Sequence, residues 1–367
     1  MKKTFIIPTT LVFLLALITC KNQTPDEPVV KTREVVDTIG FAQYGWQMDS
    51  VIARINRIQV KEIESPDQLP WFEPWKVCIS PHDDYTYVGS LYPMVLENIK
   101  APIILLFGVA HKARLLKLEG HIIFDNHTHW DAPYGKVKIS ALREEIQSEL
   151  NSSLYEVNDS MHRMEHSVEA LIPFLQYYNR QIEIIPVLVP YMSFDRMNDI
   201  ADPLSKAIHN TMVKHELKWG DDIAIVISTD AVHYGNKNWG GKNYARYGTD
   251  STGYTLAVKH ELEIIHTTLT GKLEAGKIKK FTEYTVKEEN YKEYKWTWCG
   301  RYAVPLGLLT AYYLENRVSG DNKIEGHFIG YSNSIDHGHI PVEDLGMGTT
   351  APANMNHWVG YAAVGYY

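Results

Sequence analysis

The stretch Ile103-Ile104-Leu105-Leu106-Phe107-Gly108-Val109-Ala110-His111 decides the fold class, because an apolar run of strand type ends in a glycine and is followed by a histidine. A second apolar run, Trp75 to Ile79, is followed by Ser80-Pro81-His82. In an open α/β sheet, ligands bind at such strand ends. Cys299, in Trp298-Cys299-Gly300-Arg301, adds a thiol. Two imidazoles and one thiolate predict a metal site at His82, His111 and Cys299 with room for water or substrate, as in a catalytic centre.

Strand and helix patterns alternate along the chain, which predicts a single α/β domain with a mainly parallel central sheet flanked by helices. The predicted strands are Val77–Ser80, Ile103–Gly108, Gly120–Phe124, Ile182–Val189, Ile223–Ser228 and a closing strand at Val359–Tyr366. The predicted helices are Ala141–Leu150, His166–Tyr178, Asp199–Lys218, Ser251–Leu273 and Val304–Asn316. For Phe281–Trp298, periodicity leaves a strand pair and a loop over the site equally open.

The N-terminus has the pattern of an export signal. Lys2 and Lys3 precede a mostly apolar stretch that ends in Leu17-Ile18-Thr19-Cys20. That ending resembles the lipobox of bacterial lipoproteins, in which the cysteine is acylated; a plain signal peptide or an uncleaved anchor is the alternative. We therefore expect a lipoprotein signal at residues 1–20, a polar tether at 21–40 and the domain at 41–367. The expected location is the bacterial cell envelope, with the membrane contacted through lipid on Cys20.

Composition limits the partners and leaves one question about the cysteines open. The net charge of -8 argues against nucleic acid, and 45% hydrophobic residues support a sizeable core. If Cys20 carries lipid, Cys78 and Cys299 remain. A disulfide between them is an alternative to the metal site in an oxidising compartment, although burial in an apolar strand explains Cys78 without a partner.

Further candidate residues follow the strand Ile223–Ser228 or open a helix. Asp230 and His233 are predicted to form an orienting carboxylate–imidazole pair, or to act as acid and base. His166 shares a helix face with Glu169, so it could be a histidine held by a carboxylate and presented to the site.

Two histidine pairs with i, i+2 spacing could chelate a metal on a strand, but a surface or loop position is the simpler interpretation. They are His127 with His129 and His337 with His339.

Read together, these motifs resemble the Memo family, whose members are similar in fold to class III extradiol dioxygenases. The matching segments, in order along residues 70–367, are His82-Asp83-Asp84-Tyr85 with Tyr87 and Gly89, Gly108 through His111, Glu165 through Glu169 with Ile172-Pro173-Phe174, Ile184 through Val189, Ser228 through Gly235, and Cys299-Gly300-Arg301.

The resemblance implies metal ligation by His82, His111 and Cys299. It also implies active-site roles for Asp230, His233 and His166. The chain departs from the family pattern where Asp83-Asp84 replaces Ala-Gly, which adds negative charge beside the first ligand.

Two functions are compatible with this sequence. The first is a non-haem metal-dependent oxidoreductase with dioxygenase-like chemistry, using Fe(II), with copper or zinc as alternatives, on a small-molecule or peptide substrate. Zinc-assisted hydrolysis is its variant for a redox-inactive metal. The second is a non-catalytic envelope protein that binds iron, copper or a peptide in the same pocket.

Overall fold

The computed structural model describes residues 1, 30–58, 73–336 and 338–367. The predicted lipobox with Cys20, most of the predicted tether and His337 lie outside these described residues. Residues 31–367 form one compact unit. Within the described ranges, no helix is both long and apolar enough to span a bilayer.

Strands and helices alternate as predicted. The strands are β1 Thr32–Arg33, β2 Val77–Ser80, β3 Ile103–Val109, β4 Ile122–Phe124, β5 His129–Trp130, β6 Val137–Ile139, β7 Tyr155–Val157, β8 Glu183–Val189, β9 Ile223–Ser228, β10 His233–Gly235, β11 Gly271–Lys272, β12 Val286–Lys287, β13 Asn290–Tyr294, β14 Glu325–Asn333 and β15 His357–Tyr366. The helices are α1 Gly45–Arg57, α2 Tyr85–Val88, α3 Leu91–Leu96, α4 Leu142–Glu149, α5 Asp159–His162, α6 Ile172–Tyr178, α7 Phe194–Lys214, α8 Ser251–Thr268, α9 Ala275–Thr285 and α10 Ala303–Ser319, with 3₁₀ turns at Ala113–Leu116, Glu169–Leu171 and Glu343–Leu345.

One large sheet organises the domain, in the order β1-β5-β6-β8-β3-β9-β2-β15-β14-β11. Its centre, β8-β3-β9-β2, is parallel throughout. From β15 onward the pairing is antiparallel. The predicted α/β class is therefore confirmed, with a parallel centre and an antiparallel flank. Because β3, β9 and β2 are parallel neighbours, the residues that follow them emerge at the same edge of the sheet.

Both faces of the sheet are covered, which explains why its central strands are apolar without alternation. Along β3, Leu105 and Phe107 belong to one core, whereas Ile104 and Leu106 belong to the other. Helices α10, α7 and α4 cover the first face, and α3, α6 and α1 cover the second. This double covering holds the strand ends rigidly.

Three predicted helices differ in their bounds from the structure. The helix expected at Ser251–Leu273 ends at Thr268, before β11, and the one expected at Asp199–Lys218 spans Phe194–Lys214. The helix expected at 166–178 begins only at Ile172, after a 3₁₀ turn. A helix from residue 166 would place Pro173 in its interior, where proline has no N–H to donate and clashes with the preceding turn; in α6 it lies in the first turn instead. The undecided stretch 281–298 contains the end of α9 and the β12–β13 hairpin.

Residues 31–40, assigned above to the tether, pack against the domain. Strand β1 pairs with β5, and the Arg33 side chain is fully buried. Arg33 forms an ion pair with Glu169, donates to the carbonyls of His162 and Glu165, and lies 4.1 Å from the Trp130 ring centroid. The folded domain thus extends to about residue 31, because this arginine finds acceptors that a free tether would lack.

Candidate metal centre

His82 follows β2 and is 1% exposed. Its Nδ1 lies 2.8 Å from the Ser228 Oγ, whose hydroxyl donates to the carbonyl of Ser167. Because that hydroxyl hydrogen is already used, Ser228 accepts from Nδ1–H, so the His82 Nε2 carries the lone pair. Burial is the main cause that lowers the pKa of His82 well below its usual value, with nearby histidines adding to it. His82 is therefore a neutral imidazole that presents Nε2 to the site.

His111 follows β3 and is oriented by Glu165. The His111 Nδ1 lies 2.9 Å from the Glu165 Oε1, and its backbone N–H donates to Oε2 at 2.7 Å. A carboxylate only accepts, so the His111 Nδ1 donates, and Nε2 is the ring nitrogen left for a metal. Burial opposes ionisation of Glu165, but the charge and hydrogen bond of His111, together with other contacts, lower its pKa to about 2. An anionic Glu165 thus supports His111, the common arrangement behind metal-binding histidines.

Cys299 reaches the same edge from the loop before α10. Its Sγ lies 3.6 Å from the His82 Nε2 and accepts the Asp230 backbone N–H at 3.1 Å. Gly300 makes this approach possible, since a Cβ there would stand 2.3 Å from the Thr229 Oγ1. Burial, and secondarily Asp230, raise the pKa of the thiol well above its usual value. The site therefore favours the neutral thiol unless a cation stabilises the thiolate.

Cys78 and Cys299 are both free thiols, so the disulfide alternative is wrong. Cys78 is fully buried within β2 and packs in the second core. Its strand position explains it as a small buried hydrophobe.

Asp230 does not support His233 as predicted; it faces His82. Its Oδ1 accepts the His82 backbone N–H at 2.9 Å, and its Oδ2 lies 3.5 Å from the His82 Nε2. Burial, then the neighbouring Asp83, raise its pKa well above the usual value. The prediction failed because β9 ends beside β2, which brings Asp230 to His82, while the chain turns at Ala231 into β10.

His233 lies on β10, where its backbone N–H donates to Thr297 and its ring lies 5.3 Å from that of Trp239. Its Nε2 has no hydrogen-bond partner among the described residues. Burial, followed by the charges of His111, His357 and His166, lowers its pKa to about 3. His233 is therefore a neutral imidazole with a free nitrogen.

His166 is paired with Asp37, not with Glu169. The His166 Nδ1 lies 3.3 Å from the Asp37 Oδ2, whereas Glu169 binds Arg33. Burial would lower the pKa of His166, but Asp37 and Glu165 outweigh it and raise the pKa to about 9. At neutral pH His166 is a cation, and its partner comes from the segment that the sequence had assigned to the tether.

Two overlapping groups of potential ligands result, each with its ligand atoms within 4.8 Å of one another. One contains His82, His111 and His166; the other contains His82, Asp230 and Cys299. His82 belongs to both groups, whereas the other two predicted ligands, His111 and Cys299, fall in different groups; none of the groups among the described residues contains all three.

Asp83 and Asp84 stand beside the centre but outside these groups. The Tyr361 hydroxyl donates to Asp83, and Thr350 donates to Asp84. Burial is the main cause that raises the pKa of both carboxyls, to about 7 for Asp84, where Asp83 adds to the effect. The two acids therefore add less negative charge than the sequence implied.

The remaining histidine motifs lie elsewhere. His127 lies in the loop between β4 and β5, as one of the two predicted alternatives had it, but it is a buried loop residue, 1% exposed, with its Nδ1 2.9 Å from the Asp125 carboxylate. His129 lies on β5, and the His339 Nε2 lies 2.9 Å from the Ser334 carbonyl.

Sequence reasoning missed Ser228 and Glu165 as supporting residues. A signal existed for Glu165, which directly precedes His166 and Ser167 in the motif. Its contact with His111, 54 positions away, requires the fold.

Comparison with known proteins gives the same relationship as the motifs. The family model described as Memo-like protein matches residues 53–347. This chain belongs to the Memo-like family.

Among curated relatives, a MEMO1 family protein of Saccharolobus islandicus is 30% identical over 164 residues, 42% of this chain and 52% of that protein. One of Aquifex aeolicus is 31% identical over 176 residues, 46% of this chain and 60% of that protein. One of Methanothermobacter thermautotrophicus is 27% identical over 169 residues, 43% and 54% of the two chains. The alignments thus span a little over half the length of the relatives.

Proposed function

We propose that this Memo-like protein is a metal-dependent oxidoreductase with dioxygenase-like chemistry. The observation that carries the proposal is the pair of imidazoles whose Nδ1 atoms are hydrogen-bonded to Ser228 and Glu165, which leaves Nε2 of each for a metal, with the Cys299 thiol beside His82. Metal bonds of 2.0–2.3 Å at tetrahedral angles place ligand atoms about 3.3–3.8 Å apart. The 3.6 Å between the His82 Nε2 and the Cys299 Sγ fits that range. The 3.5 Å between the same nitrogen and the Asp230 Oδ2 fits it as well.

The donor set suits a borderline metal. Imidazole and thiolate together accept iron, copper or zinc, and we propose Fe(II) as the working ion. When bound, Fe(II) would supply redox chemistry with O₂, whereas zinc would supply Lewis-acid chemistry only. His82, His111 and Cys299 would hold the ion, and Asp230 lies near enough to His82 to complete the set.

The chain's own residues provide the proton chemistry. His233 is neutral and its Nε2 is unpartnered among the described residues, so it can accept a hydrogen bond from a ligand. His166 is held as a cation by Asp37 and can donate one. Asp230 positions His82 through its backbone N–H.

The test has two steps. Protein purified without oxygen is titrated with Fe(II), Cu(I) and Zn(II), and bound metal is counted in wild type and in His82→Ala. Oxygen uptake is then recorded with a panel of catechols and small organic acids. We expect one ion per chain, lost in His82→Ala, and oxygen uptake only with Fe(II). If the wild type binds one metal ion per chain but consumes oxygen no faster than His82→Ala, the non-catalytic metal-binding function is favoured.

We further propose that the chain is anchored at the bacterial cell envelope by lipid on Cys20, as its lipobox-like segment suggests. Cys20→Ser should then yield an unprocessed or soluble protein. Labelled fatty acid should enter the wild type and not this variant. Equal labelling of both would contradict the assignment.

A further inference from the structure

The cavity that opens onto the centre has a basic wall. Its volume is about 240 Å³, and His111 and Cys299 line it together with four cationic side chains and one acidic one. The cations are Arg114, Lys242, Lys292 and Arg301, and the acid is Glu293. The whole chain has a net charge of -8, so the positive charge of this cavity is a local feature. Binding of an anionic ligand would explain it.

Arg301 is the strongest feature of this wall. It is 7% exposed, and no carboxylate among the described residues lies within ion-pair distance of its guanidinium. Its guanidinium lies 3.5 Å from the Tyr294 ring centroid and 4.5 Å from that of Tyr302. Its Nε has no hydrogen-bond partner in the described part of the chain. Burying a charge without a counter-ion costs free energy. The Arg301 guanidinium would therefore be stabilised by an anion that enters the cavity.

A second guanidinium lies close to the first. Arg114 donates to the Lys292 carbonyl at 2.8 Å, and Arg301 reaches the same carbonyl at 3.4 Å. Arg114 is exposed, and it too lacks a carboxylate partner among the described residues, whereas the Lys292 ammonium is already paired with Glu119. Two guanidiniums that converge on one carbonyl repel each other, and a bound oxyanion would relieve that repulsion with bidentate hydrogen bonds.

The positive surface continues outward from the cavity. An adjoining open groove shares Lys242, Glu293 and Tyr294 with it and adds Arg246, Lys287 and Lys295. Four cations against one acid give this groove a net positive charge, which raises the local concentration of an anionic ligand.

We propose that the substrate is a small organic oxyanion, a carboxylate or a phosphate ester, whose charged group is bound by Arg301 and Arg114. This inference rests on the proposed function for the reaction at the other end of the ligand, because His111 and Cys299 line the same cavity. The tyrosines at positions 191, 294 and 302 form its aromatic walls. They suit a ligand with a planar apolar body.

The test uses three probes of one shape: benzoate, phenyl phosphate and the uncharged benzamide. Binding to the full chain is measured by calorimetry with and without zinc. We expect benzoate or phenyl phosphate to bind the metal-free protein and benzamide to bind at least tenfold more weakly. The tighter anion identifies the head group. Equal binding of benzamide would overturn the proposal.

Substitutions test whether Arg301 and Arg114 bind the anion. Arg301→Gln should weaken the tighter anion by roughly tenfold or more, and Arg114→Gln by several-fold. The matched control Arg57→Gln changes an exposed arginine of α1 that does not line the cavity and should bind as wild type does. Arg114 is exposed, so its variant keeps the test valid if Arg301→Gln does not fold. Wild-type anion affinity in folded Arg114→Gln and Arg301→Gln would overturn the proposal.

Metal loading separates this inference from the proposed function. If the wild type binds zinc but its affinity for the anion does not depend on Arg301, only the inference about the anion fails. If anion binding depends on Arg301 but the protein binds no metal, only the proposed function fails.

Discussion

Replacing Glu165 by glutamine tests whether this carboxylate prepares His111 for metal. Glu165 Oε1 accepts from the His111 ring at 2.9 Å and from the backbone N–H groups of His166 and Ser167 at 3.0 Å each, and Oε2 accepts the His111 N–H at 2.7 Å. A glutamine retains one accepting oxygen. If that oxygen takes the place of Oε1, the amide NH₂ faces the His111 N–H, and one buried hydrogen bond is lost along with the negative charge.

The expected magnitude follows from that contact set. Loss of a residue supporting a metal ligand costs about 10–100-fold in metal affinity. That range corresponds to about 1.4–2.8 kcal/mol, in line with the cost of leaving one buried donor unpaired, about 1–3 kcal/mol. Because the pKa of Glu165 is about 2, the carboxylate is ionised throughout the working range. The difference between wild type and Glu165→Gln should therefore persist at every pH above about 4.

Competition with a chromophoric zinc chelator measures the affinity, and thermal unfolding verifies that the variant is folded. Glu149→Gln is the matched control, since Glu149 is exposed on α4 and bonds Asn210 only at the surface. Folded Glu165→Gln with zinc affinity within twofold of wild type would refute the reasoning that His111 is prepared by this carboxylate.

Three further outcomes are expected. Cys299→Ser should lose most bound metal whereas Cys78→Ser, inside a strand core, should retain it; equal loss in both would contradict the assigned ligand. Arg33→Met should lower the free energy of unfolding in urea by about 3–5 kcal/mol, because it removes the counter-ion of the buried Glu169 carboxylate. The exposed Lys138→Met should cost less than about 1 kcal/mol. Burial of Asp125 opposes ionisation, but its hydrogen bonds and nearby cationic side chains lower its pKa from 3.8 to about 2. The ionised carboxylate therefore contributes about 2 kcal/mol of stability above pH 4, and this contribution is lost as the pH falls towards 2. The free energy of unfolding of wild type and of Asp125→Asn should be compared over this range. A difference between them that does not change with pH would contradict the prediction.

Local sequence was enough to predict the fold class and the residues that gather at the sheet edge. Three apolar runs of strand length, each followed by a histidine or an acidic residue, predicted β2, β3 and β9 and the positions of His82 and His111. A strand that is buried on both faces is apolar at nearly every position, so a few consecutive residues are enough to recognise it. Pro173 was a signal for the late start of α6, since proline is disfavoured inside a helix, but the signal is not decisive, because Pro203 lies within α7.

The pairing of the site residues was decided by tertiary structure alone. Asp230 is three positions from His233 but binds His82, 148 positions away, because β9 lies between β2 and β3 in the sheet. His166 is paired with Asp37, not with its neighbour Glu169, because β1 brings the N-terminal segment back onto the domain. Sequence spacing limits which side chains can meet within one element, but strand order and loop paths determine which elements meet. They therefore decide whether burial, as at His82, or a nearby carboxylate, as at His166, sets the charge of an imidazole.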